Sequence, residues 1–126
     1  MVAFVRARLD EEDRIARAAG GDSWRTPPDL PGEVHDRVGG IAFSVRMRGY
    51  EHHIARQDPS RTLRRIETNR VIVDEYAEVA ALDTDSPAED RPSGRAVGLG
   101  FAVRQMAAEH ADHPEYKASW LPRYSR

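Results

Sequence analysis

The chain contains no cysteine. That absence excludes disulfides, thiolate nucleophiles and every zinc site built on sulfur. No apolar run approaches the length of a membrane span. Arg6 and Arg8 interrupt the first residues before an apolar segment could act as a signal core. A cytoplasmic protein without membrane association is the expectation. Catalytic motifs are missing too. The sequence has no phosphate-binding glycine loop, no nucleophile elbow and no His-Glu-x-x-His. Gly98-Leu99-Gly100 is too short a match to a dinucleotide fingerprint. No catalytic residue and no cofactor are expected, and no internal repeat is visible.

What is present fits one domain. The 126 residues fall within the usual domain size and can bury a core without staples. A single domain over 1–126 is expected, with 83–94 as a mobile internal loop. The net charge of −2 argues against bulk attraction to nucleic acid or membrane. Its distribution is uneven. Residues 46–70 hold seven arginines against three acids, and residues 71–90 hold seven acids and no Lys or Arg.

Periodicity and punctuation give the elements. Val2 to Ala19 reads as a helix, with Val2, Val5, Leu9 and Ala16 at helical spacing and Gly20-Gly21 as the stop. Its acids, Asp10 to Asp13, read as a solvated face. Asp22 to Pro31 reads as a strand fragment, then a loop. Glu33–Val38 and Ile41–Arg46 flank Gly39-Gly40, which suits a two-residue type I′ hairpin turn. That register pairs 38 with 41, 36 with 43 and 34 with 45. It puts Val34, Val38, Ile41, Phe43 and Val45 on one apolar face, which Asp36 interrupts. Trp24 could add a third strand or fill the same core.

Gly49 to Gln57 reads as a short helix. Asp58 then fits an N-cap and Pro59 a first helical position. The long helix runs from Pro59 to about Leu82, with Leu63, Ile66, Val73, Ala77 and Ala80 on one stripe. Another helix runs from about Arg95 to His110, carrying Leu99, Val103 and Met106. His113 to Trp120 forms a last turn that lays Tyr116 and Trp120 on the core. The fold class is α+β: a hairpin or small antiparallel sheet packed on three to four helices, with the long helix central.

Three segments carry a family resemblance. They are Val2-Ala3-Phe4-Val5-Arg6-Ala7-Arg8-Leu9-Asp10-Glu11, the stretch from His52-His53-Ile54-Ala55-Arg56-Gln57-Asp58-Pro59 through Ser60-Arg61-Thr62-Leu63-Arg64-Arg65-Ile66-Glu67, and Ala111-Asp112-His113-Pro114-Glu115-Tyr116 with Trp120 after it. In these the chain resembles a family of small actinobacterial and actinophage proteins, domain-of-unknown-function family 6221. Many members carry a cysteine cluster before the last helix, which this sequence lacks. The resemblance implies no established activity.

Three function classes follow. The first is a non-enzymatic interaction module that self-associates or binds a protein partner through the long helix. That helix places arginines in its N-terminal half and acids in its C-terminal half, against its macrodipole. Antiparallel self-association would match the two halves and bury Ile72, Val73 and Tyr76, with Glu78 beside them. The second is a nucleic-acid or phosphate-ligand binder. His53, Arg56, Arg61, Arg64 and Arg65 crowd the start of the long helix, whose free N–H groups favour anions. Arg46, Arg48 and Arg70 could extend the patch. The competing structural reading makes Asp58 a cap, packs Ile54 and Leu63, and pairs the arginines with Glu51 and Glu67. The third is a small metal-dependent enzyme around His110 and His113, three residues apart with Asp112 and Glu115 nearby. Pro114 favours a helix end there instead.

Overall fold

The computed structural model describes residues 1–44 and 49–121. Among these the architecture is α+β: four helices and a two-stranded antiparallel sheet. Contacts divide the chain into two compact units, Met1–Asp10 with Thr68–Arg126 and Glu11–Glu67. Helices α1 (Val2–Ala18) and α3 (Pro59–Val79) contribute to both.

In the unit Glu11–Glu67, α1 ends in a Schellman motif. The Gly21 N–H donates to the Ala16 carbonyl at 3.0 Å and the Gly20 N–H to the Arg17 carbonyl at 3.0 Å. Gly20 has φ +98°, which a side chain would strain. The chain then forms one antiparallel bridge, Arg25 to His35, with both N–H···O distances 2.8 Å. The extra strand partner foreseen around Trp24 is therefore its neighbour, and it makes a single bridge.

The hairpin differs from the expected one. Strands β1 (Glu33–His35) and β2 (Ile41–Ser44) pair Glu33 with Ser44, Val34 with Phe43 and His35 with Ile41, with a bulge between Val34 and His35. Asp36 causes the change. Its Oδ1 accepts from Val38 N–H at 3.0 Å and Gly40 N–H at 2.9 Å. That carboxylate organises residues 36–40 as a longer loop, as aspartate side chains do in turns. Among the described residues of the expected apolar face, only Val34 is buried. Val38 (90% exposed), Ile41 and Phe43 lie open. Val45, Arg46 and Arg48 lie outside the described residues.

Helix α2 (Tyr50–Arg56) packs on β1. Asp58 then caps α3. Its Oδ1 accepts from Arg61 N–H at 2.7 Å and its Oδ2 from Trp24 N–H at 3.0 Å. Ile66 and Val34 have no exposed surface, and each contributes about 1.5–3 kcal/mol by burial.

In the unit Met1–Asp10 with Thr68–Arg126, α3 closes in a 3-10 turn over Ala80–Leu82. Helix α4 spans Arg91–Ala108, four residues longer at its start than Arg95. Asp90 sets that start: its side chain accepts from Ser93 N–H at 2.8 Å, and Pro92 sits in the first turn. The connection read as 83–94 is thus helical from Arg91. The buried face of α4 is Ser93, Ala96, Gly100, Val103 and Ala107, a stripe of mostly small residues at alternating three- and four-residue spacing. A Cβ at Gly100 would overlap the Asp83 carboxylate. Phe4 anchors the C-terminal segment: the rings of His113, Tyr116 and Trp120 lie 5.4, 6.2 and 5.0 Å from it. A 3-10 turn at Ala118–Trp120 carries the last of them. Among the described residues no helix is long and apolar enough to cross a membrane.

Candidate functional site

A cleft of about 630 Å³ opens within the unit Glu11–Glu67. Trp24, Arg25 and Thr26 form one side, His52, Ala55 and Arg56 of α2 another, and Asp58, Arg61 and Arg64 at the start of α3 the third. Four guanidinium groups, one carboxylate and one imidazole thus line it. Asp58 is buried and accepts two backbone N–H bonds, one on each oxygen. No ion pair reaches Arg25, Arg56 or Arg61 among the described residues. Arg64 donates to the Ser60 hydroxyl at 2.8 Å. Thr26 Oγ1 and His52 Nδ1 are 3.3 Å apart.

Three of the five predicted binding residues, Arg56, Arg61 and Arg64, therefore line one cleft. The other two do not. Arg65 donates to Glu12 at 2.6 Å, and His53 is exposed on α2 outside the lining. The adjacent His52 takes the place expected for His53. Arg25 is the lining residue that sequence reasoning missed. Its position depends on the bridge to His35, ten residues away, and no local motif signals it.

Two expectations about this segment are corrected. The N-terminus of α3 offers no free donor at its first four positions. Pro59 has no N–H, Ser60 N–H donates to the Asp22 carbonyl at 3.2 Å, Arg61 N–H to the Asp58 side chain, and Thr62 N–H to the Asp58 carbonyl at 3.1 Å. Any attraction for anions comes from side chains. Among the described residues no arginine pairs with Glu51 either: it accepts from Gly49 N–H at 3.1 Å and stands 3.6 Å from His52 Nε2.

The charge order of α3 is answered inside the chain. In one unit Arg6 donates to Asp74 at 2.7 Å and Arg70 to Asp10 at 2.8 Å. In the other, Arg65 meets Glu12. Within each unit the pairing of α1 with α3 is antiparallel. Arg95 of α4 pairs with Glu75. Asp10, Glu12 and Asp13 of α1 are thus ion-paired rather than simply solvated, Asp13 with Arg17 at 2.6 Å. Of the interface candidates, Val73 and Tyr76 are buried in the chain's own core and cannot offer an open surface. Ile72 is half-buried, and Glu78 is exposed.

A second polar centre lies in the other unit. Asp83 Oδ2 accepts from Tyr76 Oη at 2.8 Å and Arg104 at 2.7 Å, while Oδ1 is buried without a partner. His110 and His113 both pack edge-on against Phe4. The Arg8 guanidinium faces His113 Nε2, a cation where a metal would have to sit. No group of three metal-ligating side chains occurs among the described residues.

Comparison with known proteins gives the family. The chain matches a family described as "Family of unknown function (DUF6221)" over residues 1–122. It belongs to that family. No curated protein and no solved structure is significantly similar to it.

Proposed function

We propose that this DUF6221 protein is a small cytoplasmic, non-enzymatic binding module that takes an anionic, phosphate-class ligand in the arginine cleft. The observation that carries this reading is the cleft's charge. Arg25, Arg56, Arg61 and Arg64 converge from three chain segments on a concavity whose one carboxylate is already occupied. Structural arginines at a surface normally face acids; Arg25, Arg56 and Arg61 pair with none among the described residues and line a space of ligand size. Guanidinium groups grip phosphate and carboxylate oxygens in pairs. The test is calorimetric titration at low salt with phosphate, sulfate, pyrophosphate and citrate. At least one should bind saturably, and Arg61→Ala should weaken it about tenfold or more. No heat from any of the four at millimolar concentration would refute the reading.

Self-association or partner binding through α3 is the second reading. What favours it is Val71, 60% exposed on α3, on the same face as exposed Glu78. A molar mass that stays monomeric at high micromolar concentration, and is unchanged by Val71→Glu, would remove the self-association form.

A further inference from the structure

We infer that the ligand is a phosphate monoester of a small organic alcohol: its phosphate sits in the arginine cleft and its uncharged organic body lies in a neighbouring groove. This rests on the anion-binding reading above and names the class of ligand. Three observations support it.

The first is continuity. A second concavity, of about 520 Å³, lies in the same unit. Thr26 and His52 line both it and the arginine cleft. Their side chains are 3.3 Å apart, so the pair forms the ridge between the two. His52 is exposed and Thr26 half-buried, which leaves the ridge open to a ligand crossing it. The Thr26 hydroxyl and the His52 ring are the polar groups that a bridging ester oxygen would meet there.

The second is the contrast in lining. The cleft presents Arg25, Arg56 and Arg61, groups that grip phosphate oxygens in pairs. The groove is walled by Pro27, Pro28, Leu30 and Pro31. Among the described residues no Arg or Lys lines it. Pro28, Leu30 and Pro31 are exposed, so a bound organic group would remove apolar surface from water, which favours association. The groove is within the size range of small-ligand sites, which suits a compact body such as a single ring.

The third is what the acids of the groove do. They are Glu33 and Glu51. Glu51 is buried and accepts from Gly49 N–H at 3.1 Å. Glu33 Oε1 lies 3.4 Å from His35 Nε2. Each carboxylate has a neighbour in the protein and does not call for a cationic ligand group. Both disfavour a second anion, since like charges repel. One anionic end and one uncharged end is the pattern that the two concavities share between them.

The experiment is calorimetry on the full chain at low salt, with inorganic phosphate, phenyl phosphate, phosphoglycolate and a tyrosine-phosphorylated peptide. Phenyl phosphate should bind about tenfold or more tighter than phosphate, because burial of the ring adds to the same anion contacts. Phosphoglycolate, whose body ends in a carboxylate, should gain nothing over phosphate. Arg61→Ala should weaken phosphate and phenyl phosphate alike. Leu30→Asp and Pro28→Asp, with unchanged circular dichroism, should each remove most of the advantage of phenyl phosphate and leave phosphate within about threefold. Phenyl phosphate within about threefold of phosphate would overturn the inference and leave the anion-binding reading intact. Phosphoglycolate binding as tightly as phenyl phosphate would do the same, as would phenyl phosphate affinity that neither groove variant changes. A phosphopeptide about tenfold or more tighter than phenyl phosphate would overturn it in favour of a protein partner. Silence from every ligand would remove both.

Discussion

Asp58 accepts from the Arg61 and Trp24 amides, so truncating its carboxylate strands a helix donor and releases the segment that carries Arg25. Loss of an N-cap costs about 0.5–2 kcal/mol. Asp58→Ala should sit at the upper end of that range in urea unfolding and should also loosen the cleft. Asp58→Asn, which keeps one acceptor oxygen, should recover part. Gly100 supplies a contrasting pair with Gly98. A methyl at Gly100 would overlap the Asp83 carboxylate, whereas a Cβ at Gly98 meets nothing within 4 Å. Gly100→Ala should destabilise by about 1–3 kcal/mol through overpacking. Gly98→Ala should stabilise by about 0.5–1 kcal/mol through helix propensity. Chemical denaturation of both variants reads this difference, and equal effects would contradict the packing described around Asp83.

Among the elements, α4 carries a titrating start. The hydrogen bonds from Ser93 hold the Asp90 carboxyl below its ordinary value. A group whose folded value is lowered stabilises the native state above its unfolded value, near 3.9. That stabilisation is lost as pH falls through the folded value. The melting temperature of the wild type should therefore carry a component that falls below about pH 4. Asp90→Asn should lack that component, and an unchanged profile would show that the cap contributes nothing measurable. The elements also separate what local chemistry reveals from what it hides. The glycine stop of α1 and the Asp58-Pro59 start of α3 were legible because a cap is decided within a few residues. The hairpin register was not. Gly39-Gly40 advertises a two-residue turn, but Asp36 outcompetes it through its side chain. The sign was present in the sequence: Asp36 alone broke the expected apolar face, because it belongs to the loop.

At the scale of the whole molecule, the net charge of −2 conceals a cationic cleft. Anion affinity there should fall steeply between low and physiological salt, because exposed guanidinium charges are screened over about 8–10 Å. Titration of pyrophosphate at two ionic strengths measures it, and salt-independent binding would argue for a different site. Half of this cleft was readable in the sequence. Arg56, Arg61 and Arg64 cluster within nine residues, but Arg25 and the diversion of Arg65 to Glu12, 53 residues away, depend on tertiary structure. The complement that part of α3's charge finds in α1 of the same chain depends on tertiary structure too.

That complement also disciplines how α1 and α3 meet. With Arg6 on Asp74 and Asp10 on Arg70, sliding α1 by about one helical turn in one direction brings Arg6 toward Arg70. Sliding it the other way brings Asp10 toward Asp74. Each pair is a surface contact worth about 1 kcal/mol or less, yet either nearest slip trades an attraction for a repulsion. The alternating signs therefore act as a vernier: they add little to the depth of the native minimum and raise both of its neighbours.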